Sequence, residues 1–178
     1  DGAGNVSITA ADIDGGSNDN CGVAGISATP TSFNCGVVGP NPVTLTVTDV
    51  NGNQSTCTAT VTVLDTLPPI AVCNDITVSL DANGEYVLTG ADEAALVAGT
   101  TDNCGIAGVE VSQDTFDCDD YNPVLGFGTV VVTVTITDVN GNVSTCTSTV
   151  TVLDPLSACC DIEINSVATT DEICPNAE

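Results

Sequence analysis

Two stretches in which apolar and polar residues alternate set the pattern of this chain. Residues 43–48 read Val-Thr-Leu-Thr-Val-Thr, and residues 57–64 read Cys-Thr-Ala-Thr-Val-Thr-Val-Leu. Strict alternation over such lengths predicts β-strands with one buried face. An Asn-Gly pair lies between them at residues 51–52, and apolar runs separated by Asn-Gly are the strongest short-range signal for a hairpin. The pattern therefore predicts an antiparallel hairpin ending near Leu64.

The hairpin pattern occurs twice, which indicates a tandem repeat. Residues 48–65 and 137–154 are identical at 16 of 18 positions, and Asp-Asn-Cys-Gly occurs at 19–22 and again at 102–105. Residues 93–99 of the second copy favour one short helical turn. That copy also carries a six-residue insertion after Cys118, because the interval from Cys118 to Asp138 is 20 residues whereas that from Cys35 to Asp49 is 14.

Proline-containing segments place the module boundaries. Residues 65–69 read Asp-Thr-Leu-Pro-Pro, and residues 154–158 read Asp-Pro-Leu-Ser-Ala; prolines stiffen a junction and do not continue a strand ladder. We predict a first module at 1–65 without its opening strand, a complete module at 66–154, and a linker with a tail strand at 155–178. Because the chain opens in mid-pattern and shows no signal peptide, we expect a mature or excised part of a longer exported protein.

The charge excludes several classes of function. The chain carries a formal charge of −24 and has no Lys, Arg or His. Such a field repels nucleic acids, and the absence of His removes the usual activated nucleophile pairs. No apolar run of transmembrane length occurs, so we expect no membrane insertion. We expect a non-enzymatic protein.

The same charge favours a bound cation, since no side-chain cation can relieve the repulsion between carboxylates. Ca²⁺ with oxygen ligands is the natural candidate. The alternative is that the acidic side chains bind no ion and only confer solubility. The first candidate loop, residues 12–20, would offer Asp12, Asp14, Ser17, Asp19 and Asn20. Candidate ligands in the second copy are Asp92, Asp102, Asn103, Asp117 and Asp119. The hairpin turns add Asp49, Asn51, Asn53, Asp138, Asn140 and Asn142, although Asn-Gly turns need no metal.

Ten cysteines without any histidine favour disulfides over zinc. Disulfides form in oxidising compartments, so a secreted or cell-surface location is expected. The interval is 14 residues both from Cys21 to Cys35 and from Cys104 to Cys118. Either pair could close the loop between two neighbouring strands.

The repeated motifs resemble hyalin-repeat modules, which are immunoglobulin-like β-sandwiches arranged in tandem in secreted and surface proteins. The resemblance rests on Asp-Asn-Cys-Gly, on Thr-Asp-x-x-Gly-Asn-x-Ser-Thr-Cys at 48–57 and 137–146, and on the Asp-x-x-x-Pro linker. The cysteine-rich form is similar to long repetitive adhesins of gliding and biofilm-forming bacteria. Residues 161–178 are similar to the opening of an SprB-like repeat.

This resemblance implies all-β, tandem immunoglobulin-like sandwiches in which first and last strands lie together. It agrees with a Cys73–Cys146 bond. The first copy has Cys57 but no opening strand, so the tail strand of a neighbouring subunit could complete it through Cys159 or Cys160. The alternative is that the chain was cut from a longer array and that its own opening strand, with the partner of Cys57, was lost. The role of Cys174 stays open.

We therefore expect a structural component of an extracellular bacterial filament or surface adhesin. Its partners would be copies of itself, joined head to tail by strand complementation and disulfides, or neighbouring modules. The alternative is a calcium-dependent module that binds carbohydrate, such as surface glycans, or protein, and that belongs to a longer tandem-repeat adhesin.

Overall fold

The computed structural model describes residues 2–159, which are mostly β-structure, as the alternating pattern predicts. Two short α-helices interrupt the strands, α1 (Ala10–Ile13) and α2 (Gly90–Leu96), as do two 3-10 helices at Cys35–Val37 and Cys118–Asp120. The strands are β1 (Asn5–Ser7), β2 (Val23–Thr29), β3 (Ser32–Asn34), β4 (Gly39–Asp49), β5 (Gln54–Val63), β6 (Ile76–Ser79), β7 (Tyr86–Val87), β8 (Ile106–Val111), β9 (Thr115–Phe116), β10 (Gly128–Asp138) and β11 (Val143–Leu153).

The chain divides into two compact units. Unit 1 ends at Leu67 and unit 2 begins at Pro68, so the division falls inside the proline-containing linker. Each unit contains one copy of the repeated hairpin.

Unit 1 is built on an antiparallel sheet in the order β2-β4-β5, with β1 and β3 paired separately. In the register of this sheet, Leu45 is opposite Cys57. The core is thin: Phe33, Val43 and Val63 form a buried cluster, packed against partly buried Ile8, Ile13, Ala28 and Val61.

Unit 2 has a four-stranded sheet in the order β6-β11-β10-β8 and a small β7-β9 sheet. Strand β6 runs parallel to β11, whereas β10 is antiparallel to both of its neighbours. The core is larger than that of unit 1 because more elements contribute to it. Its buried members are Val78, Leu80, Leu88, Leu96, Phe116, Tyr121, Val132, Val134, Ile136, Val150 and Val152.

Both hairpins form where the alternation predicts them. Thr48 pairs with Gln54 at the end of the first, and Thr137 pairs with Val143 at the end of the second. The turn glycines, Gly52 and Gly141, have φ of 86° and 90°. A side chain rarely adopts this left-handed conformation, so Asn-Gly is the appropriate turn chemistry.

The helical turn expected at 93–99 begins three residues earlier, at Gly90. The Asp92 carboxylate accepts hydrogen bonds from the N–H and hydroxyl of Thr89, at 2.8 and 2.7 Å. This capping box fixes the start of α2, and Leu96 anchors its end by complete burial. The first copy repeats the device with Thr9 and Asp12, which produces α1 where the sequence analysis predicts no helix.

Candidate functional site

The cysteines form disulfides that fasten unit 2. Cys73 bonds to Cys146, with Cα atoms 5.9 Å apart, and so ties the segment before β6 to β11. Cys118 bonds to Cys159. Cys35 and Cys104 are disulfide-bonded as well. Disulfides of this kind indicate an oxidising, extracellular environment.

Two predicted pairings are wrong: Cys21 is a free thiol, and Cys118 joins Cys159 rather than Cys104. Equal spacing did not bring the cysteines together. The two strands between Cys21 and Cys35 belong to different sheets, since β2 pairs with β4 and β3 pairs with β1. A disulfide needs a specific separation and direction of its two residues, which spacing along the chain does not supply.

Hydrogen bonds to Asp154 hold the turn that places Cys159 next to Cys118. The two carboxylate oxygens of Asp154 accept the N–H groups of Ala158 and Cys159, each at 2.9 Å. The resulting turn brings Cys159 back to Cys118, and the Cα atoms lie 5.2 Å apart. The sequence signal for this role is an aspartate directly before a proline, a common way to initiate a turn.

The outer edges of the two repeated hairpins differ. In unit 2, β6 covers the edge of β11 over four residue pairs, from Val150↔Ile76 to Leu153↔Ser79. In unit 1, β5 is the last strand of its sheet, and no strand within residues 2–159 pairs with its outer edge. An uncovered edge presents unpaired N–H and C=O groups that template another strand.

Burial along the two strands shows the same difference. Cys57, Ala59 and Val61 of β5 correspond to Cys146, Ser148 and Val150 of β11, and each is more exposed than its counterpart. The contrast is clearest at the last pair, because Val150 is completely buried whereas Val61 is half-buried. Cys57 is exposed and free. Cys160, Cys174 and the predicted tail strand lie outside the described residues.

The acidic loop at 12–20 does not gather its carboxylates. Asp12 accepts from Thr9; Asp14 accepts from the N–H of Ser17 at 3.0 Å and from its hydroxyl at 2.5 Å. Asp19 accepts from the N–H groups that follow it, at Cys21 and Gly22. Among the described residues, these three carboxylates form no common cluster, and Asn20 is exposed.

Hydrogen bonds lower the pKa of two of these loop carboxylates, Asp12 and Asp14. The backbone and side-chain bonds from Thr9 hold the pKa of Asp12 below its ordinary value, and the hydroxyl and N–H of Ser17 do the same for Asp14. Each acid stabilises its own turn. The sequence signal for Asp12 was the Thr-x-x-Asp capping pattern.

Several acids of the second copy serve local turns too. Asp92 caps α2 and accepts the Tyr86 hydroxyl at 2.9 Å; the bonds from Thr89 lower the pKa of Asp92 most, and burial together with Asp92 raises the pKa of Tyr86. Asp117 accepts the N–H of Asp119 at 2.9 Å. Asp119 is exposed.

The two hairpin turns share one hydrogen-bond pattern. Asp138 accepts the N–H groups of Asn140 and Asn142 at 2.8 Å and the side-chain amide of Asn142 at 2.7 Å. Asp49 makes the same bonds with Asn51 and Asn53.

The environments of these two aspartates differ. Asp49 is partly exposed, and the bond from the Asn53 side chain is the main cause of its lowered pKa. Asp138 is 1% exposed. Burial alone would raise the pKa of Asp138, but the bonds from Asn142, Asn140 and Gly141 together outweigh it and hold the pKa below its ordinary value.

Asp102 lies beside Asp138, and their carboxylate oxygens are within 4.8 Å of each other. The pairing of β8 with β10 places them near each other. The register of this pairing shifts at Asp138, and just beyond it the N–H of Val139 donates to the carbonyl of Gly105 at 3.1 Å. The neighbouring Asn103 points its amide nitrogen at the Cys104 sulfur, 3.1 Å away. Of the predicted ligands, the half-buried Asp102 and the buried Asp138 form the pair that could hold a cation.

The six-residue insertion lines a cavity of about 440 Å³ in unit 2. Its walls include Asp119, Tyr121, Asn122 and Phe127. Tyr121 is buried whereas Phe127 is 41% exposed. From the sequence, Asp119 is a candidate metal ligand, and no sequence signal indicates a cavity at this position.

Comparison of the sequence with models of known protein families and with characterised proteins gave no match. Within residues 2–159, no helix is long and apolar enough to cross a membrane.

Proposed function

We propose that this chain is a structural segment of an extracellular filament or surface adhesin, built from tandem immunoglobulin-like modules and stabilised by calcium. Neighbouring copies join head to tail by adding a strand to the open edge of β5. The chain's negative charge and disulfides suit an exported structural protein whose cations come from the medium.

The observation that carries this proposal is the difference between β5 and β11. Two hairpins that share a nearly identical turn and second strand both form, yet the outer edge is covered in unit 2 and open in unit 1. The cysteine bonded to Cys73 in unit 2 has its counterpart in Cys57, which is free. An added strand supplies main-chain hydrogen bonds, and its alternate side chains supply specificity.

The proposed occupant is the segment 160–167 of a second copy. Its Asp161-Ile-Glu-Ile sequence matches Asp75-Ile-Thr-Val at the start of β6. In this alignment Cys159 takes the position of Cys73, but Cys159 is already bonded to Cys118. We therefore assign the adjacent Cys160 as the partner of Cys57. A contact between two different surfaces that does not close on itself propagates into a fibre.

The disulfide is tested on the full chain under mild oxidation. Remaining thiols are blocked before a non-reducing gel is run. We expect a ladder of covalent multimers that C57S abolishes. C21S is the matched control, because Cys21 is the other exposed free thiol of the described residues, and its ladder is expected to persist. Digestion with a protease specific for acidic residues then identifies the linked peptides, since the chain offers no Lys or Arg to trypsin.

Three results would overturn the strand-exchange assembly: monomers alone, a ladder that depends on Cys21, or a Cys57 linkage to a segment other than that containing Cys160. The last result would leave the open edge as an acceptor for a different module of a longer protein. Electron microscopy of the oxidised wild-type sample is expected to show unbranched fibres.

The cavity of the insertion favours a second candidate, a module that binds carbohydrate. Aromatic and carboxylate side chains occur together there, at Tyr121, Phe127 and Asp119, and sugars are held by stacking and polar groups together. A glycan array tests this, with F127A as the variant and a chelator as control. Retained binding by F127A would exclude this cavity as the sugar site.

A further inference from the structure

We propose that unit 2 binds one hard divalent cation, best matched by calcium, between the carboxylates of Asp102 and Asp138. This site deepens the calcium part of the proposed function by naming where the ion is held. It does not depend on assembly, because both residues belong to one unit of one chain.

Asp102 provides the first indication of a ligand. Its Oδ1 accepts the N–H groups of Cys104 and Gly105, both at 2.8 Å. Its Oδ2 is enclosed and accepts no hydrogen bond, and it is the one such side-chain atom within residues 2–159. A buried carboxylate oxygen without a partner carries a large desolvation cost, which a bound cation would remove.

Asp138 provides the second ligand. Its carboxylate is 1% exposed and is held rigidly by the turn bonds from Asn140 and Asn142. The enclosed Oδ2 of Asp102 and the buried carboxylate of Asp138 carry like charges, which repel each other at a separation within 4.8 Å. The chain contains no Lys, Arg or His that could form an ion pair with them.

The spacing suits calcium. Ca²⁺ binds oxygen at about 2.3–2.6 Å, so two of its ligands lie at most about 5 Å apart. Carboxylate oxygens within 4.8 Å of each other can therefore share one ion. Calcium accepts irregular coordination by carboxylates, carbonyls and water, and sites in extracellular modules have a Kd on the order of 10⁻⁴–10⁻³ M.

Unit 1 supplies a matched comparison. Asp19 accepts the N–H groups of Cys21 and Gly22, as Asp102 accepts those of Cys104 and Gly105. The N–H of Val50 also donates to Gly22, as that of Val139 donates to Gly105. However, Asp19 is exposed, so water can satisfy its second oxygen. The turn is the same, and Asp102 differs from Asp19 in its enclosed second oxygen.

The experiment uses the full chain after chelator treatment. Titration calorimetry and thermal unfolding are measured with CaCl₂, with MgCl₂, and with NaCl at equal ionic strength to separate specific binding from charge screening. We expect one calcium per chain at the Asp102 site and a higher Tm than in NaCl. Tb³⁺ luminescence, displaced by Ca²⁺, provides an independent measure of occupancy.

D102N is the decisive variant, because an amide keeps the oxygen that accepts from Cys104 and Gly105 while removing the negative charge. We expect calcium affinity to fall at least about tenfold, together with loss of the calcium-dependent rise in Tm. In chelator we expect D102N to melt above wild type, since the repulsion with Asp138 is gone. D19N is expected to retain wild-type calcium binding. Circular dichroism confirms that each variant folds.

The site is rejected if calcium raises the Tm no more than NaCl does, or if D102N binds calcium as wild type does. Loss of binding in D19N alone would also overturn it. If wild type shows no cation response, the site is rejected even when D102N is the more stable chain in chelator. Assembly is scored separately on gels in chelator, so failure of this site is distinguishable from failure of the filament proposal.

Discussion

The backbone N–H of Thr149 donates to Oδ1 of Asp75 at 2.7 Å. This bond shows that residue 149 directs its N–H toward the outer edge of β11, where β6 lies. Thr60 holds the same repeat position in β5, and no strand within residues 2–159 covers that edge. The N–H of Thr60 is therefore available to an added strand, and Asp161 corresponds to Asp75 in the proposed donor segment.

T60P tests strand addition without touching a cysteine. Proline is tolerated on an edge strand when its missing N–H would face solvent. We expect unit 1 to fold with a cost on the order of 1 kcal/mol and covalent multimers to be strongly reduced. Multimer yield on non-reducing gels provides the measurement.

T149P is the matched variant in unit 2. It removes a bond that is made within the chain, to a charged acceptor, and such bonds contribute about 1.5–3 kcal/mol. We expect a marked loss of stability in unit 2, and multimers that still form through β5. A T60P chain that assembles as well as wild type would argue against strand addition.

Removing the Cys73–Cys146 bond should destabilise unit 2 by about 2–5 kcal/mol, because the bond closes a long loop. The double variant C73S/C146S avoids leaving an unpaired thiol. Denaturant unfolding followed by tyrosine fluorescence reports unit 2 alone, since Tyr86 and Tyr121 are the two tyrosines of the chain.

C21S serves as the control for a cysteine substitution outside unit 2, since it removes an exposed free thiol of unit 1 and no disulfide. Its stability is expected to stay within about 0.5 kcal/mol of wild type. A double variant as stable as C21S would show that β6 is held by its ladder and core contacts rather than by the disulfide.

The cap at Asp92 predicts a dependence of stability on pH. Its folded-state pKa is below the ordinary value, mainly because of the bonds from Thr89. The ionised Asp92 cap therefore contributes its full stability above the unfolded pKa of about 3.9, and this stability is lost as the pH falls through the lower folded pKa. In D92N this increment is absent, so the stability difference from wild type should shrink below about pH 4.

Unfolding of both chains from pH 6 to pH 2 measures this effect. E110Q provides the control, because it removes one negative charge from an exposed position on β8 while leaving the cap intact. If E110Q and D92N show the same pH profile, the change reflects net charge rather than the cap.

Gly128 is predicted to be intolerant of any side chain. A Cβ at this position would lie 1.7 Å from the carbonyl oxygen of Asp120, so G128A must displace the backbone at the start of β10. Forced overpacking costs about 1–3 kcal/mol. At Gly108 in β8 a Cβ would meet nothing within 4 Å, so G108A is expected to be nearly neutral. Equal effects in the tyrosine-monitored unfolding of the two variants would contradict this account.

The sequence predicted the hairpins well because their signals are local. Alternation from Val43 to Thr48, and an Asn-Gly turn at residues 51–52, specify strands and their reversal without any distant contact. It also predicted that Asp138 belongs to an ordered turn. It did not predict the caps at Asp12 and Asp92, although Thr-x-x-Asp is a recognisable pattern.

The disulfide pairing depended on tertiary structure. Cys21 and Cys35 share the spacing of Cys104 and Cys118, but the Cys118–Cys159 bond depends on the turn at Asp154, which brings a distant cysteine to Cys118. Spacing counts residues along the chain, whereas a disulfide needs a specific distance and direction in space.

The sequence by itself determined that this protein consists of two acidic, cysteine-rich β repeats without a side-chain cation. The tertiary structure decided which equivalent residues become different. Asp102 has a buried, unpartnered oxygen whereas Asp19 is exposed, and β11 is covered whereas β5 is open. The physical reason is burial, since packing against distant segments removes water from one copy of a motif and leaves it on the other.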